Sequence, residues 1–169
     1  MISIQEFLLG KNNQKQNKIH ATDETLYRIV RDEIDKLGKD ADLNHIDVSD
    51  VKNFFYGLDW NDDMPENLTG LFEDTDFQGD VSGWDMSNAE DTTSMFKGCQ
   101  HFNCDISGWD MRNVKCCMAM FEDCKKFNQD LSSWNMENIK NIENRYFMFN
   151  ISGLEAYRKK WPKFGYETK

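Results

Sequence analysis

The chain has 169 residues, and its 30 Asp and Glu against 20 Lys and Arg give a formal charge of −10, a balance that disfavours binding to phosphate backbones or anionic lipid. Aromatic residues make up 13% and proline occurs twice, the composition of a folding chain of single-domain size. No stretch is apolar for long enough to span a bilayer.

The opening "MISIQEFLLGKNNQKQNK" is apolar at Ile2, Ile4, Phe7, Leu8 and Leu9, but Gln5 and Glu6 interrupt the run, and neither a basic leading region nor a small-residue cleavage site accompanies it. Residues 1–20 are therefore expected to be an N-terminal tether, and the chain to be cytoplasmic. Five cysteines, Cys99, Cys104, Cys116, Cys117 and Cys124, are odd in number and clustered in one third of the chain, which fits reduced thiols. A capping helix is expected within 21–42, starting at Thr22 or Asp23. Glu24 stands in its first turn, Leu26, Ile29, Val30, Ile34 and Leu37 follow at helical spacing, and Gly38 supplies the stop. Glu24 with Arg28, and Asp32 with Lys36, place acid before base four residues apart.

Over 43–144 one phrase recurs: "FQGDVSGWDMSNA" from Phe77, "FNCDISGWDMRNV" from Phe102 and "FNQDLSSWNMENI" from Phe127. Trp84, Trp109 and Trp134 are spaced by 25, as are Asp80, Asp105 and Asp130, and Asn88, Asn113 and Asn138. Phe72, Phe96 and Phe121 mark a second aromatic position, with a one-residue slip between the first two. Extended backwards, the pattern aligns Trp60 with Phe77 and Asp63 with Asp80, an interval of 17 that shortens one coil by roughly eight residues around Pro65. The apolar residues of Val81 to Met86 miss helical spacing and predict a short strand near each Trp. The stretches "EDTTSMFKGC", "KCCMAMFEDC" and "KNIENRYFMF" predict a helical or 3-10 turn after it. The expected fold class is an α/β repeat: a short right-handed leucine-rich-repeat-like solenoid of about four coils in one structural domain. An N-terminal capping helix opens it, and a C-terminal helical cap over 145–169, helical from Leu154 to Lys160, closes it.

The phrase resembles the repeats of the BspA-like leucine-rich-repeat proteins, also called the DUF285 repeat, whose coils read approximately "MF-x-x-C-x-x-FNQD-I-S-x-W-D-V-S-N-V-T-D-M". "MFEDCKKFNQDLSSWNMENI" follows it nearly residue for residue, and the resemblance covers about Leu43 to Ile142. "DADLNHIDVSDV" resembles the segment that often precedes such arrays. The resemblance implies a solenoid binding surface, and secreted or surface-attached members are linked to adhesion.

The fixed phase of Trp84, Trp109 and Trp134 with the Phe and Met positions favours a stacked core over an exposed aromatic strip for carbohydrate or peptide. Asn88, Asn113 and Asn138 are read as closing turns. Asp63, Asp80, Asp105 and Asp130 form an acidic column, and Asp85 and Asp110 a second one with a gap at Asn135. At a coil spacing of about 4.8 Å, stacked carboxylates repel unless each accepts amide hydrogen bonds or shares a cation. No EF-hand or nonapeptide calcium pattern is present, so Asx turns are favoured over Ca²⁺. Cys99-x-His101-x-x-Cys104 lacks convincing zinc spacing, and the cysteines read as small buried residues. His20, His45 and His101 lie far apart, and no nucleophile-elbow, phosphate-loop, dinucleotide or zinc-protease motif occurs. No enzyme, cofactor or metal is expected.

Function is then expected where the coils differ. Equivalent positions read Ser87, Arg112, Glu137; Glu90, Lys115, Lys140; Asp91, Cys116, Asn141; Lys97 and Glu122, a tolerance that marks the solvent side. The expected function is a non-enzymatic protein-binding module inside the cell. Its candidate partner-binding residues are Ser87, Glu90, Asp91, Arg112, Lys115, Glu137 and Lys140. An alternative has the acidic columns Asp80, Asp105, Asp130, Asp85 and Asp110 imitate a nucleic-acid backbone in the basic groove of a DNA- or RNA-handling protein, as a phage-encoded or host-defence inhibitor would. A structural subunit of a larger assembly is a third reading. The expected partner is a protein with a basic surface, with no direct nucleic-acid or membrane binding.

Overall fold

One α-helix and three pairs of two-residue strands are the regular elements of the computed structural model among the residues it describes, 18–56 and 69–164. β1 (Ile19–His20) pairs in parallel with β2 (Ile46–Asp47), β3 (Phe55–Tyr56) antiparallel with β4 (Thr69–Gly70), and β5 (Asn135–Met136) in parallel with β6 (Lys163–Phe164). Turns closed by main-chain bonds to the third residue along, and two 3-10 helices at Ile142–Arg145 and Arg158–Lys160, make up much of the rest. The strand expected beside each Trp forms after Trp134, where Lys163–Phe164 lies alongside to pair with it. After Trp84 and Trp109 no such strand forms among the described residues, and the chain turns.

α1 (Leu26–Leu37) buries Leu26 and Val30 and packs Tyr27, Ile29 and Ile34 partly against the core. Gly38, at φ +88, ends it and donates its N–H to Ile34 O. The helix starts later than expected. Thr25 and Leu26 both donate to the carbonyl of Thr22, closing a turn before the helix, and Thr25 takes the N-cap position. Asp23 caps a different segment, accepting from the N–H groups of Lys52 at 2.7 Å and Asn53 at 3.1 Å. Lys36 pairs with Glu33 at 2.8 Å instead of with Asp32. The other oxygen of Glu33 lies 3.0 Å from His45 Nε2, which ties the helix to the segment leading into β2.

Equivalent residues of successive repeats lie against one another. The rings of Phe72, Phe96, Phe121 and Phe149 stack at 5.1, 5.7 and 5.9 Å, nearly parallel, beside a second column of Phe77, Phe102 and Phe127 at 6.1 and 5.7 Å. All seven are buried, with Trp84, Trp109 and Trp134 alongside. The main chain stacks in the same direction. Thr92, Ser94, Phe96 and Gly98 donate to the carbonyls of Cys116, Met118, Met120 and Glu122, while Cys117, Ala119, Phe121 and Asp123 donate to those of Asn144, Tyr146, Met148 and Asn150. Turn-closing bonds such as Met120 N–H to Cys117 O use the intervening peptides. This alternation requires left-handed residues at Ser94, Gly98, Ala119, Asp123, Phe147 and Ile151.

The first repeat is longer than the others, where the sequence pattern led us to expect a shortened one. Asp42 bridges Asp80, and the Asn88 amide reaches Ser49, 39 residues back, whereas Asn113 and Asn138 reach 26 residues back. The excess is 39 − 26 = 13 residues, and within this repeat β3 pairs antiparallel with β4. Asp42 takes the position beneath Asp80 that had been assigned to Asp63; Trp60, Asp63 and Pro65 lie outside the described residues, as does most of the expected tether. The register is hidden in the sequence because Lys39 stands where later repeats carry Phe, and Ile46 where they carry Trp. Gly70 allows the two repeats to approach, since a Cβ there would lie 1.8 Å from Ser94 O.

At the other end the repeat pattern runs past 144: Phe149 continues the Phe column, and Asn150 reaches Glu122 at a separation of 28. The helix expected from Leu154 to Lys160 reduces to the 3-10 turn Arg158–Lys160. The Trp161 indole takes the Leu154 carbonyl at 3.0 Å, and Tyr157 donates to the same carbonyl, so a turn replaces the helical bond.

Candidate functional site

The aspartates are spent on turns. Oδ1 of Asp80, Asp105 and Asp130 accepts the N–H two residues on, from Ser82, Ser107 and Ser132, at 2.8, 3.0 and 3.0 Å. Asp85 and Asp110 do the same to Ser87 and Arg112. In the third repeat the neutral Oδ1 of Asn135 accepts from Glu137 at 3.0 Å, so the gap in the charge column is no gap in the turn. Asp42 and Asp47 begin the two columns with the same bonds to Asn44 and Ser49. Hydrogen bonds from the serine two residues on hold the carboxyls of Asp47, Asp80, Asp85, Asp105 and Asp130 below the usual range, because they favour the ionised form. Among the described residues no group of three or more His, Cys, Asp or Glu is arranged to hold a metal ion.

The other ladders join one repeat to the next. The indole N–H of Trp84, Trp109 and Trp134 donates to the carbonyls of Leu43, Val81 and Ile106 at 2.9, 3.1 and 3.1 Å. The amides of Asn88, Asn113 and Asn138 donate to Ser49, Ser87 and Arg112. Cys99 and Cys124 donate their thiols to Phe72 O and Phe96 O, at 3.0 and 2.8 Å. Burial pushes the Cys99 thiol up to about 12 and that of Cys104 to about 11, and raises Cys117 and Cys124 as well, so nucleophilic thiolate is disfavoured at all four.

The variable positions have partners that the sequence reading missed. Glu90 lies between Lys52, at 3.1 Å, and Lys115, in one column, while Lys140 turns its ammonium to the carbonyl of Glu137 at 2.6 Å. A second column runs from Glu73 through Lys97 to Glu122, at 3.2 and 3.8 Å, and on to the Asn150 amide. Opposite signs on adjacent repeats were legible in the sequence at these positions, and cross-repeat pairing is their physical meaning. Asp91 is a correction. It is half-buried between Asn53 and Cys116, accepts from Thr93 N–H at 2.8 Å, and burial pushes its carboxyl up. It is therefore a poor member of a solvent face. Ser87 is half-buried, whereas Arg112 and Glu137 are exposed, Arg112 held by Asp110 at 2.9 Å. Asp110, Arg112, Ser133 and Asn135 line an open depression of about 500 Å³ beside Trp109.

A second candidate surface carries none of the residues expected from the sequence to contact a partner. Tyr146, Phe147 and Ile151, on the last repeat, are exposed by 44, 61 and 56%. Tyr146 and Phe147 line a groove of about 420 Å³ together with Phe149, Glu155, Arg158 and Trp161. Its signal in the sequence is the run of large side chains Tyr146, Phe147 and Ile151 within the segment 145–169 read as a cap.

A family model described as "Mycoplasma protein of unknown function, DUF285" matches residues 35–161, more than half of the chain. No curated protein and no solved structure matches the sequence. No helix among the described residues is long and apolar enough to cross a membrane.

Proposed function

The chain belongs to the DUF285 family, and from that scaffold we propose that it is a non-enzymatic protein-binding module whose stacked repeats form a short right-handed leucine-rich-repeat-like solenoid. One observation carries this reading. The recurring Asp, Asn, Trp and Cys side chains are consumed by turns and by bonds to the neighbouring repeat, so recognition falls to positions where the repeats differ and side chains reach solvent. Arg112 and Glu137, with Lys115 and Lys140 beside them, are the leading contacts. We place the protein in a reducing compartment of the cell, a reading supported by its five free cysteines.

The columns Asp80, Asp105, Asp130 and Asp85, Asp110 favour a second reading. Hydrogen bonding keeps the first four of these carboxylates ionised, and they recur one repeat apart, so they offer a row of negative charge to a basic groove.

Affinity for the partner retained from the native cell, measured at low and high salt, separates the two. Charge reversal at Arg112 and Glu137 together is expected to weaken binding by about tenfold or more on the first reading. Replacing Asp80, Asp105 and Asp130 by Asn keeps the turn acceptors and should leave that binding intact. Loss of binding in the Asn variant, with a steep fall in affinity as salt rises, would select the mimic. Indifference to both sets of changes would refute both.

A further inference from the structure

In the stack, alternate peptides of a repeat point C=O at the repeat before and N–H at the repeat after. At the last repeat the carbonyls of Tyr146, Met148 and Asn150 accept from Ala119, Phe121 and Asp123. The N–H groups of the same trans peptides, on Phe147, Phe149 and Ile151, therefore point away from the stack. Glu155 takes the Ile151 N–H with a carboxylate oxygen at 3.1 Å. Those of Phe147 and Phe149 find no acceptor among the described residues. Tyr146, extended at φ −53 and ψ 138, is followed by left-handed Phe147 at φ 59, and Ile151 is left-handed at φ 55; turns closed by the Met148 and Asn150 N–H groups leave those of alternate residues facing outward. In the same groove, the Arg158 guanidinium rests 5.3 Å from the Trp161 ring centre and has no carboxylate partner among the described residues.

We propose that this end of the stack docks an extended acidic peptide segment of a partner protein. Three features fix the chemistry of the occupant. Two N–H groups on alternate residues call for carbonyl acceptors along one edge of an extended chain, which a helix, having used its carbonyls internally, does not offer. The N–H row and Arg158 call for negative charge, and Glu155 is the chain's own instance of a carboxylate on this row. The exposed rings of Tyr146 and Phe147 call for apolar cover beside that charge. A second copy of the same end is unsuited, because it would set donors against donors. The proposal rests on the protein-binding reading in so far as its ligand is a polypeptide.

The test uses the full chain, isotopically labelled, and three capped peptides in which valine alternates with aspartate, asparagine or lysine. The aspartate peptide should shift the amide resonances of Phe147 and Phe149 while leaving Thr92 and Cys117 unmoved, the asparagine peptide should bind more weakly, and the lysine peptide not at all. Arg158→Glu, at an exposed position, should weaken the aspartate peptide by about tenfold or more with no change in Tm, and Tyr146→Ala should weaken it less. No shift at Phe147 and Phe149 with the aspartate peptide at about 1 mM, or binding indifferent to Arg158→Glu, would overturn the proposal. So would shifts that depend on protein concentration alone, the mark of a second copy. If the peptide fails while charge reversal at Arg112 and Glu137 still weakens the native partner, the end groove is wrong and the protein-binding reading stands.

Discussion

Trp109 shows how one side chain serves two repeats. It stacks 6.2 Å from Trp134, lies 6.1 Å from Phe96 and donates to Val81 O. Trp109→Ala should cost about 3 to 5 kcal/mol in denaturant unfolding, a large share of a marginal stability. A variant with unchanged Tm and a lost ligand would instead make the tryptophan a contact residue. Asp105 separates turn from metal chemistry. Asp105→Ala should lower Tm by leaving the Ser107 N–H without its acceptor, while Asp105→Asn should hold the turn as Asn135 does. Neither chelator nor added calcium should move the wild-type transition; a calcium-dependent rise abolished by Asp105→Asn would contradict this. Asp91 runs against its fellow aspartates. With its carboxyl pKa raised by burial, the folded state binds more protons than the unfolded one once pH passes the ordinary Asp value near 3.9, and stability falls as pH climbs from there through the folded pKa. Asp91→Asn should therefore stabilise the protein at neutral pH, with the gain vanishing below about pH 4. Equal effects at both pH values would exclude desolvation as the cause. The ladder positions were legible because a fixed period of 25 repeats them, whereas the burial of Asp91 was not, since a variable column looks exposed whichever way each member points.

At the scale of elements, the turns that carry the stack store strain unevenly. Gly98 occupies a left-handed position at φ 73, and a Cβ there would lie 2.1 Å from Asp74 Oδ1. The final repeat places Ile151, β-branched and more than half exposed, at φ 55. Ile151→Gly should then gain about 1 kcal/mol, while Gly98→Ala should lose at least as much. Urea unfolding of the two variants measures both, and destabilisation by Ile151→Gly would show that the half-exposed side chain outweighs its backbone cost. The helix was readable from the periodicity of Leu26, Ile29, Val30 and Ile34, but its start was not. Asp23 has the chemistry of an N-cap, and long-range amides at Lys52 and Asn53 claim it instead. The lengthened first repeat was illegible for a related reason: with Lys39 at the Phe77 position and Ile46 at the tryptophan position, the aromatic pattern sets Trp60 against Phe77 instead.

Among the described residues, stacked peptides, aromatic columns and paired charges run in one direction, so each repeat packs apolar side chains against its neighbours. The N-terminal end meets α1, and the C-terminal end leaves N–H groups and aromatic rings outward. That asymmetry was beyond sequence reading, because period and composition give no direction to a peptide plane. Residue-resolved amide hydrogen exchange on the full chain tests the stack most directly. Cys117, Ala119, Phe121 and Asp123, which donate to the last repeat, should be protected as one group, while exposed Phe147, one repeat further on, should exchange near the unprotected rate. Fast exchange throughout the first group, or protection at Phe147 equal to it in the protein alone, would contradict the stacked arrangement and its open end.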